Sequence, residues 1–266
     1  MKGTLVVFFG FICLLLVAAG CVSAPESPPP QPAAIAPQEA QPVYVIGVDG
    51  DFPPFTSMDR GGNFSGLDID AARWVAERKG IQVRFIAIPW ENAVPSLESK
   101  TVDIIWSGMT ITDDRREKVN FSHPYFTVNQ TIAVRYGSNV TMQDLYNGRL
   151  RIGVQAGSSE ADWVVKNLIQ PGKMPASNLS RFADISTLTM NLENGTVDAS
   201  IIQAPSQQLA IAGRPLAILG TTPAQDRYAV AVRKTDPELL SRINDGLAQL
   251  EKDPYWQQVL QKYGLE

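Results

Sequence analysis

Apolar residues in this chain follow two rhythms: short unbroken runs, and segments where they return every three or four positions. The first run, residues 43–48, is rich in valine and stops at Asp49-Gly50-Asp51. Such a run predicts a strand. Phe52-Pro53-Pro54-Phe55 comes next, and its two prolines end the strand and stiffen a loop that carries aromatics. Leu67, Ala71, Trp74 and Val75 then recur at helical spacing, with Gly80 as the stop. Residues 83–88 predict a second strand ending at Pro89-Trp90, and residues 91–100 a second helix. Residues 102–106 form a third apolar run, of a length suited to a buried strand. Strand, helix, strand, helix, strand predicts a parallel sheet.

The pattern then starts again. Residues 127–135 are β-rich, and Thr141 can cap a short helix that ends at Asn147-Gly148. A strand over 151–154 leads through Gly157-Ser158-Ser159 into a helix over 160–169, where Ser159 and Asp162 resemble a capping box. Strands are predicted over 178–182 and 198–202 around a helix near 185–194, and another helix over about 205–212. Residues 228–233 are β-rich again, and two amphipathic helices close the chain, one carrying Leu240, Ile243, Leu247 and Leu250. The body is too long for one five-stranded sheet and shows two similar βαβ sets. It therefore predicts two α/β lobes, with crossings near 130–136 and 226–232.

The amino terminus changes the picture. Lys2 precedes an apolar run over 5–19, and Ala18-Ala19-Gly20 leads into Cys21. A basic start, an apolar centre and a small-residue exit make an export signal. The run is too short and ends too abruptly for a membrane-spanning helix. Small residues directly before Cys21 resemble a lipobox, in which the cysteine is lipidated and becomes the mature terminus. Residues 22–42 are a Pro/Ala/Gln tether that cannot build a core. Cys13 falls within the signal, so the mature domain has no thiol for a disulfide or a metal site. Six of the eleven asparagines (63, 120, 129, 139, 178 and 194) lie in Asn-x-Ser/Thr sequons, an excess that suits an exported glycoprotein.

Composition removes several functions. A net charge of −4 with no Lys/Arg-rich block speaks against nucleic acid. His123 is the only histidine and has no G-x-S-x-G elbow, so no serine triad can be assembled. No phosphate-binding glycine loop is present, and no His/Cys/carboxylate cluster has metal-ligand spacing. Neither a metal nor a cofactor is implied.

The positive signals lie at strand ends. Residues 101–126 read T-V-D-I-I-W-S-G-M-T-I-T-D-D-R-R-E-K-V-N-F-S-H-P-Y-F. The third strand breaks there into Ser107, Gly108, Met109 and Thr110, with Arg115 a few residues further on. Ligands bind outside the carboxyl ends of strands in open α/β sheets. Arg115 can fork onto a carboxylate, helped by backbone N–H groups around Gly108 to Thr110. Phe52 and Trp90 fall just past two other strands, where their faces can sandwich a ligand group. Ser158 and Ser159 offer N–H groups from the second lobe.

These residues carry a resemblance. The stretch V-D-I-I-W-S-G-M-T-I-T-D-D-R-R-E-K-V-N-F-S-H-P-Y looks like the signature D-x-x-x-x-G-x-T-x-T-x-x-R…F-S-x-P-Y, almost without gaps. D-G-D-F-P-P-F, F-S-G-L-D-I-D, P-W-E-N-A-V-P-S-L, Q-A-G-S-S and N-G-T-V-D-A support it in order. The chain resembles the amino-acid-binding proteins of ABC uptake systems, the extracellular solute-binding protein family 3, over residues 43–266.

The resemblance implies a two-lobe periplasmic-binding-protein-like α/β fold, each lobe a mostly parallel sheet flanked by helices, with a ligand cleft between them. Residues 1–20 would be a signal peptide and 21–42 a lipid-anchored tether. One lobe would comprise 43–132 plus 229–266, the other 133–228. The protein would be a monomer on the outer face of the cytoplasmic membrane, anchored through Cys21, that captures a small polar amino acid and delivers it to ABC permease subunits. Arg115 would take the α-carboxylate with Ser107, Gly108, Met109 and Thr110, Phe52 and Trp90 would flank the side chain, and Asp49 would meet its polar end. Ser158 and Ser159 would contact the carboxylate from the other lobe. Two positions depart from the pattern. Gln203 stands where the family usually places an aspartate for the α-ammonium, and Gln155 where several relatives have a lysine. Either another acid, such as Asp51 or Glu91, replaces the first, or the ligand is not a standard α-amino acid. Two other readings use the same scaffold: a cyclohexadienyl or arogenate dehydratase-like enzyme, and a ligand-sensing receptor component.

Overall fold

The computed structural model describes residues 42–266, together with Met1, residues 3–5 and Val7. Apart from those few positions, the expected signal peptide, the anchor Cys21 and the tether lie outside the described residues. Every element below belongs to one compact unit, Gln41–Glu266.

The first strand, β1 (Val43–Val48), buries its carboxyl half. Three short antiparallel strands follow, β2 (Asp51–Phe52), β3 (Thr56–Met58) and β4 (Phe64–Ser65). Helix α1 (Leu67–Arg78) turns Leu67, Ile69, Ala71, Ala72, Val75 and Ala76 inward. Those positions recur at the three- and four-residue spacing that makes one face of a helix apolar. Strand β5 (Gln82–Ala87) and, after α2 (Ala93–Glu98), strand β6 (Ile104–Ile105) pair in parallel with the two edges of β1. Helix α3 (Asp113–Arg116) is capped by Thr112, whose hydroxyl accepts the Arg115 N–H. Strand β7 (Val119–Phe121) completes this part of the chain.

The chain then enters a second sheet along β8 (Phe126–Arg135), ahead of the lobe boundary expected at residue 132. Helix α4 (Met142–Tyr146) carries a capping box between Thr141 and Asp144. Strand β9 (Ile152–Gln155), helix α5 (Ser159–Val164), strand β10 (Leu179–Phe182), helix α6 (Ile185–Glu193), strand β11 (Ala199–Gln203) and helix α7 (Ala204–Ile211) repeat the βαβ pattern. Strand β12 (Leu216–Tyr228) was not expected as a strand over most of its length. It returns antiparallel along β8. Strand β13 (Ala231–Arg233) then rejoins the first sheet, and α8 (Pro237–Leu250) and α9 (Pro254–Lys262) pack behind it. On α8 the buried position is Leu239 rather than Leu240, because the apolar stripe runs through Leu239, Ile243, Leu247 and Leu250.

The strand orders are β5-β1-β6-β13-β7 and β10-β9-β11-β8-β12. Each sheet has a parallel three-stranded part, and antiparallel strands complete it. This is the two-lobe α/β architecture expected from the sequence. Its consequence for the site is directional. Parallel strands send their carboxyl ends to one edge, so the loops after β1, β6, β9 and β11 can converge. Where the chain passes between sheets, Phe52, Phe55, Phe126 and Tyr228 form an aromatic knot, with Phe55 and Tyr228 edge-to-face at 5.0 Å. Among the described residues no helix is long and apolar enough to cross a membrane.

Candidate functional site

The ends of β1 and β6 meet first. The Asp49 N–H donates to Ser107 Oγ at 3.0 Å, and that hydroxyl shares a 2.8 Å bond with Thr56 Oγ1. Ser107 therefore uses its side chain to tie two loops together. Gly108 turns with φ +55°, and its N–H donates to the buried Asp68 carboxylate. A Cβ on Gly108 would lie 2.4 Å from Phe52 Cε1, so the ring packs directly on the turn. Met109 follows this turn. Its side chain is fully buried with Val102, Ile105 and Val119, away from the cavity where the sequence placed it.

Arg115 is held from both lobes. Its Nη1 donates to Thr110 O at 2.7 Å and its Nη2 to Gly157 O at 2.8 Å. Its guanidinium carbon stands 5.7 Å from the centre of the Trp90 ring. A guanidinium has five N–H donors, so several remain for an anionic group. Burial pushes the Arg115 pKa down, and the nearby carboxyls of Asp162, Glu160 and Asp226 oppose that shift.

The opposing wall comes from β9, α5 and β11. Gln155 Nε2 donates to Asp49 Oδ2 at 2.6 Å and to Ala183 O at 3.3 Å, which bridges the lobes at the Asp49 end. Desolvation raises the Asp49 carboxyl above its ordinary range, and the bonds from Asp51 and Gln155 only partly offset it. Gly157, at φ +73°, leaves no room for a side chain, since a Cβ would lie 2.6 Å from Glu91 Cα. The α5 cap is Ser158, whose Oγ accepts the Ala161 N–H, and not Ser159 as the sequence suggested. Being one position further in, Ser159 is free to turn its hydroxyl to the cleft. There it lies 2.9 Å from Asp226 Oδ2 and 3.3 Å from Thr110 Oγ1.

Eleven of the twelve residues expected at the site, all but Met109, line one cavity between the lobes. The walls stand close together, leaving about 10 Å³ for the centre of a water-sized sphere. Among the described residues no group of three or more His, Cys, Asp or Glu is placed to hold a metal ion.

Sequence reasoning missed an acidic cluster behind this wall. Asp226 on β12 accepts from Gln130 Nε2 at 3.2 and 3.3 Å and from Gln203 Nε2 at 3.1 Å. Glu160 is buried beside it and shares the Ser159 hydroxyl. Asp51 and Glu91, the acids considered as substitutes at Gln203, are elsewhere. Asp51 accepts the Ser186 N–H outside the cavity, and Glu91 faces solvent. Asp226 follows Pro223 and Ala224 in a stretch with no alternating pattern, so no local signal marked it.

Two buried carboxyls make a stability prediction. Burial lifts Asp68 to about 7, and burial together with the charge of Asp226 lifts Glu160 to about 8. In the folded state each keeps a proton that the unfolded chain releases near its ordinary carboxylate value. Stability should therefore fall as pH rises from about 4 through about 8. The effect is on the order of a few kcal/mol. Thermal melts of the ligand-free protein should show a melting temperature several degrees lower at about pH 9 than at about pH 5. A flat or rising profile would contradict two buried neutral carboxyls.

Comparison with known proteins agrees with this geometry. The model of the family described as bacterial extracellular solute-binding proteins, family 3, matches residues 44–266. A probable histidine-binding protein of Neisseria gonorrhoeae is 28% identical over 225 residues, 83% of this chain and 82% of that protein. An ancestral arginine-binding protein bound to arginine superposes with a TM-score of 0.76 at 31% identity, covering 83% of this chain and 97% of that one. The ancestral amino acid-binding protein that is a precursor of cyclohexadienyl dehydratase gives a TM-score of 0.73 at 30% identity, covering 83% and 94%.

Proposed function

Because this chain belongs to family 3 of the bacterial extracellular solute-binding proteins, we propose that it captures a small polar amino acid, or a close analogue, and delivers it to an ABC permease. The observation that carries the reading is Arg115. A buried guanidinium with spare donors borders the cavity between the lobes and touches the backbone of both. A carboxylate docked there would satisfy the charge, and it would favour the state in which Gly157 closes onto Glu91. Closure would create the surface that a permease recognises.

We read the protein as a carrier and not an enzyme. Its lobes would be hinged where β8 and β12 connect the two sheets, and it would act as a monomer tethered through Cys21 outside the cytoplasmic membrane. The alternative, a dehydratase-like enzyme, needs a proton donor in the cleft. One observation favours it: Glu160 is held protonated near neutral pH. Its carboxyl, however, lies behind the cavity lining and not in it. An assay for phenylpyruvate formation from prephenate or arogenate separates the two readings.

The direct test is a thermal-shift screen over amino acids, opines and small carboxylates. A true ligand at ~100 times its Kd adds ~2.7 kcal/mol, which for a domain of this size raises the melting temperature by roughly 5–10 °C. If no compound with an α-carboxylate moves the curve, the reading is wrong.

A further inference from the structure

Behind the cavity, the donors that meet Asp226 among the described residues are neutral. Asp226 is 5% exposed, and everything that reaches it is neutral: the amides of Gln130 and Gln203 and the hydroxyl of Ser159. Among the described residues no lysine, arginine or histidine nitrogen comes within salt-bridge distance of it. Glu160, 1% exposed, has one carboxyl oxygen with no hydrogen-bond partner at all. Its other oxygen lies 3.3 Å from Ser159 Oγ, the same hydroxyl that reaches Asp226. A hydroxyl has one proton to give. Glu160 holds a proton of its own, so the Ser159 proton goes to Asp226, whose buried charge is met by neutral donors.

The bond between Gln203 and Asp226 also settles the direction of an amide. A carboxylate only accepts, so the Gln203 nitrogen must face Asp226 and its oxygen must point away. Gln203 lines the cavity and Asp226 stands behind it. The amide oxygen is thereby offered on the cavity side, with a negative charge one hydrogen bond further back. Arg115, reaching in from the first lobe, supplies the positive pole. The cavity is polarised as a zwitterion requires.

We propose that Asp226 is the positioning residue for the ligand's amino group: it fixes Gln203 with its oxygen toward the cavity and supplies the counter-charge from behind. This rests on the amino-acid reading above. It accounts for the absence of an acid at Gln203 itself, since the charge has moved back by one hydrogen bond. It also narrows the ligand class to compounds that carry both a carboxylate and a protonated amine.

The test uses the full chain and the twenty proteinogenic L-amino acids. Each that binds is compared by calorimetry with the corresponding acid lacking the α-amino group. The wild type should prefer the amino form strongly. Asp226→Asn should cut that preference roughly 10- to 100-fold while leaving the affinity for the amine-free acid unchanged, because a charge-assisted interaction is lost on one side only. If Asp226→Asn folds poorly, the exchange Gln203→Glu with Asp226→Asn keeps both the hydrogen bond and the net charge. That double variant should retain the preference for the amine. A preference unaltered in a folded Asp226→Asn protein, or lost in a double variant that melts like the wild type, overturns the role of Asp226 and leaves the amino-acid reading intact. Binding of no amino acid by the wild type overturns both.

Discussion

Arg115→Ala should abolish ligand-induced stabilisation. Among the described residues that line the cavity the guanidinium is the one cation, and carbonyl bonds to Thr110 and Gly157 hold it from both lobes. Alanine would leave a buried ligand carboxylate unpaired, which costs ~3–4 kcal/mol or more, roughly a hundred- to a thousandfold in affinity. The ligand-free protein should change much less. Removing a costly buried charge offsets the loss of two hydrogen bonds and of the contact with Trp90. Thermal shift separates the two effects: a melting temperature within a few degrees of wild type, and no rise at a ligand concentration that shifts the wild type fully. Arg115→Lys should fall between them, since an ammonium keeps the charge but not the fork. A normal shift in the alanine variant would remove Arg115 from the site.

Gly66→Ala should be the most damaging small substitution for folding. Gly66 precedes α1 at φ 132° and ψ 168°, a region essentially restricted to glycine. A Cβ there would lie 2.1 Å from Phe55 O. That carbonyl cannot retreat, because it accepts the Asp68 N–H at 3.0 Å, and the neighbouring Pro54 O accepts the Leu67 N–H at 3.0 Å. Backbone strain and overpacking together cost about 4 kcal/mol or more, a drop of about 10 °C in melting temperature. The damage reaches the site through α1, which holds the Asp68 carboxylate under Gly108. Gly80→Ala is the control. Gly80 also has positive φ, but nothing lies within 4 Å of its Cβ position, so only about 1 kcal/mol should be lost. Equal melting of the two variants would show that the contact with Phe55 is not what matters.

The first lobe was largely legible in the chain. Its strands are short apolar runs whose ends carry glycine, proline or hydroxyl residues. Topology sends such ends to one edge, which is why Asp49, Phe52, Trp90, Ser107, Gly108, Thr110 and Arg115 were found from pattern and resemblance and now border one cavity. Met109, expected with them, does not line the cavity, because its side chain packs into the core beside Val102, Ile105 and Val119. Ser158 and Ser159 posed a choice of one position in a helix cap. That choice decides which hydroxyl is consumed by the backbone and which is left for the cleft.

Sequence by itself determined the periodicities, and with them the two βαβ sets, the cationic residue at the end of the third strand and the absence of an acid at Gln203. Only the tertiary structure decided what stands behind Gln203. Strand β12 pairs with β8 through two irregularities, between Ile218 and Gly220 and between Thr221 and Gln225. Each added residue in a strand changes which face the later side chains take. The facing of Asp226 is therefore set by a partner strand about a hundred residues away in sequence, and that pairing brings Asp226 to Gln130, Gln203 and Ser159. Local pattern encodes what a residue can do; register across the sheet decides what it meets.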